Sequence, residues 1–278
     1  MTGVRFSLSR LWLIADNTFR EAVRRKLCLM LALLAASLLA SSAYLREFDF
    51  GAAEVKFIAD FGVGAIVFFG TILTVAATTQ LFFSEIENRT VLTLLAKPVL
   101  RTEFIVGKFL GAWLVTLVFC LLLTTLLSAV LWWRERELLA VVAEANAAGE
   151  TVRCGNVWLA GFVQWIKFGL LAALTLFIAS FSTGELFCMV ASFLALVICH
   201  LHFLAHDAWT RVAFLPARWV AMSVALLLPN FQLFNLGEEI ATDQILAAEL
   251  VLRVAAYGLV YTAVFLGLAA FRFRRREL

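Results

Sequence analysis

The chain has 278 residues, of which 63% are hydrophobic and only 15% are charged. A mean hydropathy of +0.94 excludes an ordinary soluble globular protein. The net charge of +3 says little by itself, and its distribution along the chain says more. We expect no nucleic-acid partner. Because the loops between the apolar segments are too short for a soluble domain of ordinary size, we predict one membrane domain over residues 1–278.

The first predicted element is an amphipathic helix over residues 5–26. Its apolar residues recur at helical spacing and alternate with charged and polar ones, a pattern typical of a helix that lies in the membrane interface. The apolar residues are Leu8, Leu11, Trp12, Ala15, Phe19, Ala22 and Val23.

Six apolar segments follow, and each approaches or exceeds the roughly 20 residues needed to cross the hydrocarbon core. We predict that all six are helices, because a segment in lipid must satisfy its own backbone hydrogen bonds. The third is long enough to tilt or to protrude. The predicted spans are 27–45, 61–83, 104–133, 158–181, 186–205 and 247–271.

Basic residues predict the orientation of these spans. Most of them fall in the N-terminal segment, in the loop after the second span and in the C-terminal tail. By the positive-inside rule, that side of the membrane is cytoplasmic, so both termini are predicted to be cytoplasmic.

The loop after the second span carries clear helix signals over residues 84–97. Ser84 and Glu87 match the S-x-x-E capping box, Lys97 falls in the last predicted turn, and Pro98 ends the helix. Thr102 is then predicted to cap the next helix. Such well-defined ends predict a surface helix held in place for a partner protein.

Residues 207–246 are predicted to form an extracytoplasmic loop. Its apolar part is broken by Pro216 and Arg218, and Pro229 follows it. The uninterrupted stretch is too short to span the membrane. We therefore predict a re-entrant or interfacial helix on the outer face.

Polar residues within the spans are candidates for a translocation path. Thr74 and Thr78 share one helix face, and Gln80 follows them. Packing between helices is the competing explanation for small polar residues of this kind. Lys167 and Arg253 lie near the outer ends of spans, where snorkelling of the charged group to the interface explains both.

Three histidines lie close together at the outer end of the fifth span. His202 and His206 are four residues apart, a spacing that can bind a transition metal, and His200 lies beside them. The competing explanation is a polar helix end in the headgroup region.

The loop also resembles a known family. It is similar to the first cytoplasmic loop of the permeases of ABC-2 type ABC transporters, with the pattern E-x-E-x-[GR]-T-[LIV]-x-x-L-L-[AS]-x-P-[VI]-x-R. Segments 15–27, 228–235 and 271–278 resemble other parts of these permeases. The coupling residues that the resemblance implies are Glu85, Glu87, Arg89, Thr90, Leu94, Lys97, Pro98 and Arg101.

This resemblance implies a transport subunit with no catalytic residues, most simply of an exporter in the bacterial cytoplasmic (inner) membrane. ATP and Mg²⁺ would be bound by a separate ATPase subunit, and the chain itself has no phosphate-binding loop. A second permease chain, identical or different, and membrane lipid would be its other partners.

Two other classes remain open at this point. An ion-coupled secondary transporter is disfavoured because acidic residues are nearly absent from the centres of the spans. A membrane protein with a histidine-based metal site or activity is disfavoured because three histidines at one helix end make a poor catalytic constellation.

Overall fold

The computed structural model describes residues 7–42, 54–87, 100–145, 154–201, 228–235 and 248–275, without the side chains of 54, 87, 137–145 and 154. Over these residues the chain forms seven α-helices and one 3₁₀-helix, which confirms the all-helical fold. The helices are α1 (Leu8–Arg24), α2 (Lys26–Ser42), α3 (Glu54–Glu87), α4 (Arg101–Ala145), α5 (Cys154–Phe181), α6 (Glu185–His200) and α7 (Ala248–Arg274), with the 3₁₀-helix at Phe231–Phe234.

Over its described residues, each predicted span falls on one of these helices. Within the described residues, α3, α4, α5 and α7 are long and apolar enough to cross a membrane, and α2 and α6 are apolar helices of 17 and 16 residues. The number of crossings and the cytoplasmic side stay predictions. With 45 residues, α4 is about 67 Å long and exceeds the roughly 30 Å hydrocarbon core, so it has the length that tilting or protrusion requires.

Helix α5 lies at the centre of the bundle and packs against α3, α4 and α7. Its most apolar stretch is 83% buried, against 28% for α7. Trp165 of α5 stacks on Trp113 of α4 with ring centroids 4.4 Å apart, and each indole N–H donates to the other residue's carbonyl at 3.2 Å. Gly169 makes room for this stack, since a Cβ there would lie 2.5 Å from the Trp113 indole nitrogen.

Helix α1 falls within the predicted N-terminal helix and packs closely on α4. Its place in the membrane interface stays a prediction. The crossing depends on Gly107 and Gly111, which are four residues apart and face α1. A Cβ at Gly111 would lie 2.5 Å from the Thr18 Cβ and 2.8 Å from the Ala15 carbonyl oxygen. Three small residues, Ala15, Thr18 and Ala22, therefore form most of the buried face of α1, while Trp12 is exposed.

The predicted helix start at Ser84 is wrong. Helix α3 runs without interruption through Glu87, so Ser84 lies in its last turn. The buried apolar residues Phe82 and Phe83 continue the span to this point, and no glycine or proline lies between Gly70 and Glu87 to end it. Because the backbone N–H groups here already bond within α3, the Ser84 hydroxyl instead donates to the Glu21 carboxylate at 3.2 Å.

The predicted cap at Thr102 is also wrong. Helix α4 begins at Arg101, one residue before it. The Glu103 carboxylate accepts from the Leu100 backbone N–H at 3.0 Å, which is the reciprocal half of a capping box. Glu103, the third residue of α4, therefore caps the start of the helix through its side chain.

Of the predicted outer segment 207–246, the structure describes only residues 228–235. This short piece inserts into the bundle, where Phe231 and Phe234 are fully buried. The Gln164 side chain donates to the Phe234 carbonyl at 2.7 Å, and the Asn230 N–H donates to the Tyr257 hydroxyl at 2.8 Å. The predicted re-entrant helix itself lies outside the described residues.

Candidate functional site

One end of the bundle, here called the loop end, brings together the end of α3, the start of α4, α1 and the end of α7. Residues 88–99, which connect α3 to α4 and include the rest of the predicted helix 84–97, lie outside the described residues. The opposite end, here called the cavity end, contains the start of α3, the end of α6 and the 3₁₀-helix.

The first buried charge at the loop end is Glu103, whose side chain is fully buried. Its carboxylate accepts from the Ser7 backbone N–H at 2.7 Å and forms an ion pair with Arg10 at 3.2 Å, in addition to capping α4 through Leu100. One carboxylate thus fixes the start of α1 to the start of α4, with its charge compensated and its oxygens hydrogen-bonded.

The second buried charge is Lys108, whose side chain is 1% exposed. Its ammonium lies 2.6 Å from the Glu85 carboxylate of α3 and 3.8 Å from the Glu21 carboxylate of α1. Glu21 also pairs with Arg25 at 2.5 Å and accepts from Ser84. This ion cluster therefore joins three helices, and the cation at its centre is flanked by two acids.

Arg101 connects the start of α4 to the end of α7. Its guanidinium donates to the carbonyl oxygens of Phe273 at 3.3 Å and Arg274 at 3.1 Å, where the last turn of a helix has unpaired carbonyls. Beneath it, the Phe273 ring stacks on Phe104 at 5.6 Å and meets Phe82 at 5.8 Å. The loop is thus flanked on both sides by residues held in the bundle.

The structure brings together two of the predicted coupling residues, Glu85 and Arg101, at the loop end. The backbone of Glu87 ends α3. The remaining predicted coupling residues lie outside the described residues, and these are Arg89, Thr90, Leu94, Lys97 and Pro98. The coupling role of the whole set stays a prediction.

Sequence reasoning missed how the charges of this end pair. The partners are distant along the chain, as for Arg10 with Glu103 and Glu21 with Lys108. The one signal that could have found the helix crossing is the G-x-x-x-G spacing of Gly107 and Gly111, since small residues four apart let helices approach closely.

The three predicted path residues fall in different surroundings. Thr74 is buried, and its hydroxyl donates to the Gly70 carbonyl of its own helix at 2.6 Å. Thr78 is also buried, and Gln80 is half-buried. None of them lines the cavity described next, whereas Thr71 of the same helix does. Their role in translocation stays a prediction.

A cavity of about 760 Å³ lies at the cavity end, between α3, α5, α6 and the 3₁₀-helix. Over the described residues its walls are mainly apolar, and the polar residues among them are Asp60, Thr71, Lys167, His200, Gln232 and Asn235. Asp60 is exposed and makes an interaction of its own.

Lys167 is the buried cation of this cavity, with 3% of its surface exposed. The predicted snorkelling of Lys167 is therefore wrong: its ammonium turns inward, 3.3 Å from the His200 Nε2 and 5.9 Å from the centre of the Phe231 ring. Helix α5 is buried on most sides, so the side chain of its lysine lies inside the bundle and contacts a polar group of a neighbouring helix. Arg253 is exposed and pairs with Glu249, one turn before it.

The predicted metal ligands His202 and His206 lie outside the described residues. The third histidine, His200, contacts Lys167 and stacks on Phe231, with ring centroids 5.5 Å apart. Among the described residues, no group of three histidine, cysteine or acidic side chains is placed to hold a metal ion. The metal site stays a prediction.

Comparison with known proteins agrees with the resemblance seen in the loop. No curated protein matches the chain. A family model described as ABC-2 family transporter protein matches residues 12–278, which is nearly the whole chain. The chain, a multi-pass membrane protein, therefore belongs to the ABC-2 family of transporter proteins.

Proposed function

We propose that the chain is the permease subunit of an ATP-driven exporter in the bacterial cytoplasmic membrane. A separate ATPase subunit binds ATP and Mg²⁺ and contacts the permease at the segment 84–97, which comprises the last turn of α3 and the residues that follow it. A second permease chain completes the path for the substrate. The observation that carries this proposal is the anchoring of both sides of the loop into the bundle at the loop end.

A coupling element has to transmit a displacement rather than absorb it. On one side of the loop, Glu85 is paired with Lys108 at 2.6 Å. On the other side, Arg101 holds the end of α7 and Glu103 holds the start of α1. A push on the loop would therefore move α1, α3, α4 and α7 together, as rigid-body transitions between packed helices require.

The sequence of the loop fits a contact with a partner protein. Leu94 and Leu95 are apolar residues in a polar segment, and Glu87 and Arg89 offer charges beside them. An apolar anchor surrounded by polar groups is the usual arrangement of a residue that dominates an interface. The family to which the chain belongs makes an ATPase the expected partner.

This chain exposes apolar surface that a second permease chain or lipid can contact. One face of α6 is exposed at Leu186, Phe187, Val190 and Leu194, and the outward face of α7 is similar. In a membrane protein such a face contacts either lipid or another helix. The proposal accommodates both a homodimer and a heterodimer.

The proposal is tested by reconstituting the chain with its ATPase in vesicles and measuring both ATP hydrolysis and transport. Leu94→Asp is expected to abolish the stimulation of ATP hydrolysis by the permease, because it places a charge at an apolar contact. Glu87→Ala and Arg89→Ala are expected to reduce coupling while the protein folds normally, since surface charges contribute less than about 1 kcal/mol to stability.

The matched control is Leu233→Asp, which makes the same change at an exposed leucine of the cavity end. It is expected to leave the ATPase contact unchanged. If all three loop variants bind the ATPase and transport as the unmodified protein does, the coupling assignment is wrong.

A further inference from the structure

The cavity at the cavity end contains a buried cation whose charge the described residues do not neutralise. Lys167 contacts His200 and the Phe231 ring, and within the described ranges no carboxylate forms an ion pair with it. A buried charge in a membrane segment is costly, and it is usually retained for a functional partner. The lysine therefore points to a ligand.

The protonation of His200 follows from its two contacts. Its Nδ1 lies 3.0 Å from the Leu196 carbonyl oxygen, which can only accept, so Nδ1 carries the proton. Its Nε2 is then an acceptor for the Lys167 ammonium. This neutral imidazole orients the lysine but brings no negative charge, so the positive charge remains available to the cavity.

The rest of the cavity is apolar on two sides. Val67, Phe68 and Ile72 of α3 face it, as do Phe193 and Val197 of α6. A volume of about 760 Å³ lies within the roughly 300–1,000 Å³ typical of pockets for small molecules. The walls therefore suit an apolar tail.

Among the described residues, four further polar side chains line the same cavity, those of Asp60, Thr71, Gln232 and Asn235. The amides of Gln232 and Asn235 are hydrogen-bond donors available to an oxyanion. Asp60 would repel an anion, but it is exposed and makes an interaction of its own, and exposed charges act weakly over distance. The buried charge nearest the apolar walls is thus the cation.

We propose that this cavity binds an anionic amphiphile, with a carboxylate or phosphate head at Lys167 and an apolar tail between α3 and α6. A membrane phospholipid and a free fatty-acid-like molecule both supply this chemistry. The site requires neither nucleotide nor ATPase, so it goes beyond the proposed coupling function and stands or falls separately from it.

Binding is measured on the full chain, purified in a neutral detergent without any ATPase. The probe is a fluorescent fatty acid, and its methyl ester provides the same tail without the charge. The acid is expected to bind at least about tenfold more tightly than the ester, because a hydrogen bond to a charged group is lost with the ester. Equal binding of the two probes would overturn the proposal.

Two variants separate the head from the tail. Lys167→Met is expected to remove the preference for the acid, and Lys167→Arg to restore part of it. Gly64→Leu fills the cavity, since Gly64 lines it and a Cβ there meets nothing within 4 Å, so both probes should bind more weakly. This second variant keeps the charge and tests the site even if the lysine variant fails to fold.

The matched control is Lys56→Met, which removes an exposed lysine of α3 that does not line the cavity. It is expected to bind both probes as the unmodified chain does. If Lys56→Met and Lys167→Met weaken acid binding equally, the effect is one of overall charge and the proposed site is wrong.

The source of the ligand is identified by native mass spectrometry after extraction from vesicles of phosphatidylglycerol and phosphatidylcholine. Retention of phosphatidylglycerol by the unmodified chain, lost in Lys167→Met, identifies a membrane lipid. Acid-selective probe binding without retained lipid identifies a free amphiphile. If the chain neither retains phosphatidylglycerol nor binds the acid more tightly than the ester, the proposal is overturned.

Discussion

Buried charges occur at both ends of the helix bundle, but their surroundings differ. At the loop end, Glu103 faces Arg10, and Lys108 lies between Glu85 and Glu21. At the cavity end, Lys167 faces a neutral imidazole and an aromatic ring. Both lysines are almost fully buried, so burial alone does not distinguish them.

The difference lies in what each charge connects. The ion pairs of the loop end join α1, α3 and α4, and Arg101 adds the end of α7. Their electrostatic requirements are met within the protein. Lys167 instead lines a cavity, and among the described residues no acid pairs with its charge. We infer that the loop end is built to hold helices together and the cavity end to receive a ligand.

The largest expected effect comes from replacing each of the two lysines by methionine and comparing the stability of the two variants. Lys108→Met leaves the Glu85 and Glu21 carboxylates without the cation between them, and breaking a buried pair costs about 3 kcal/mol or more. Lys167→Met deprives no carboxylate of an ion pair among the described residues, so its free energy of unfolding is expected to change little or to increase.

Both values are obtained by titrating SDS into mixed micelles and following helix content. The contrast fails if the two variants lose the same stability, or if Lys167→Met is the less stable of the two.

A smaller effect is expected at the crossing of α1 and α4. Gly111→Leu forces α1 away from α4, because its Cβ would lie 2.8 Å from the Ala15 carbonyl oxygen, and overpacking of this kind costs about 2 kcal/mol. Gly64→Ala is the control, since the space around Gly64 is open and alanine favours the helix.

The unfolding free energies of these two glycine variants should change in opposite directions. A Gly111→Leu protein as stable as the unmodified chain would show that α1 does not pack on α4 as the structure places it.

The smallest of the three effects concerns Arg101. Arg101→Ala removes two hydrogen bonds to the last carbonyls of α7 and is expected to cost about 1 kcal/mol. The readout is hydrogen exchange, which should accelerate over residues 270–275 and remain unchanged in α6. Arg101→Lys is expected to restore part of the protection, and an unchanged exchange rate in Arg101→Ala would rule out this connection.

The positions of the helices were predictable from the sequence, because a membrane span has to be long and apolar. Their ends were less predictable. Ser84 and Glu87 satisfy a capping pattern, yet Phe82 and Phe83 pack in the core and carry α3 past that point. A capping pattern therefore marks the start of a new helix only where packing does not already hold the preceding residues in a helix.

The buried charges show a second limit of the sequence. Nothing local distinguishes Lys108, which meets acids from two other helices, from Lys167, which meets His200. Snorkelling was predicted for both Lys167 and Arg253 from their positions near the ends of spans. Whether a charged side chain can reach the membrane surface depends on whether its helix lies inside the bundle or on its outside. The surroundings of each charge follow from the packing of α5 inside and α7 outside.

The central claim is that the loop end contacts an ATPase, and photocrosslinking tests it most directly. A photoreactive residue at position 94 is compared with one at position 233, an exposed position of the cavity end, in membranes that contain the ATPase. We predict a crosslink to the ATPase from position 94 and none from position 233. A crosslink from position 233 alone, or from neither position while the two proteins co-purify, would contradict the account.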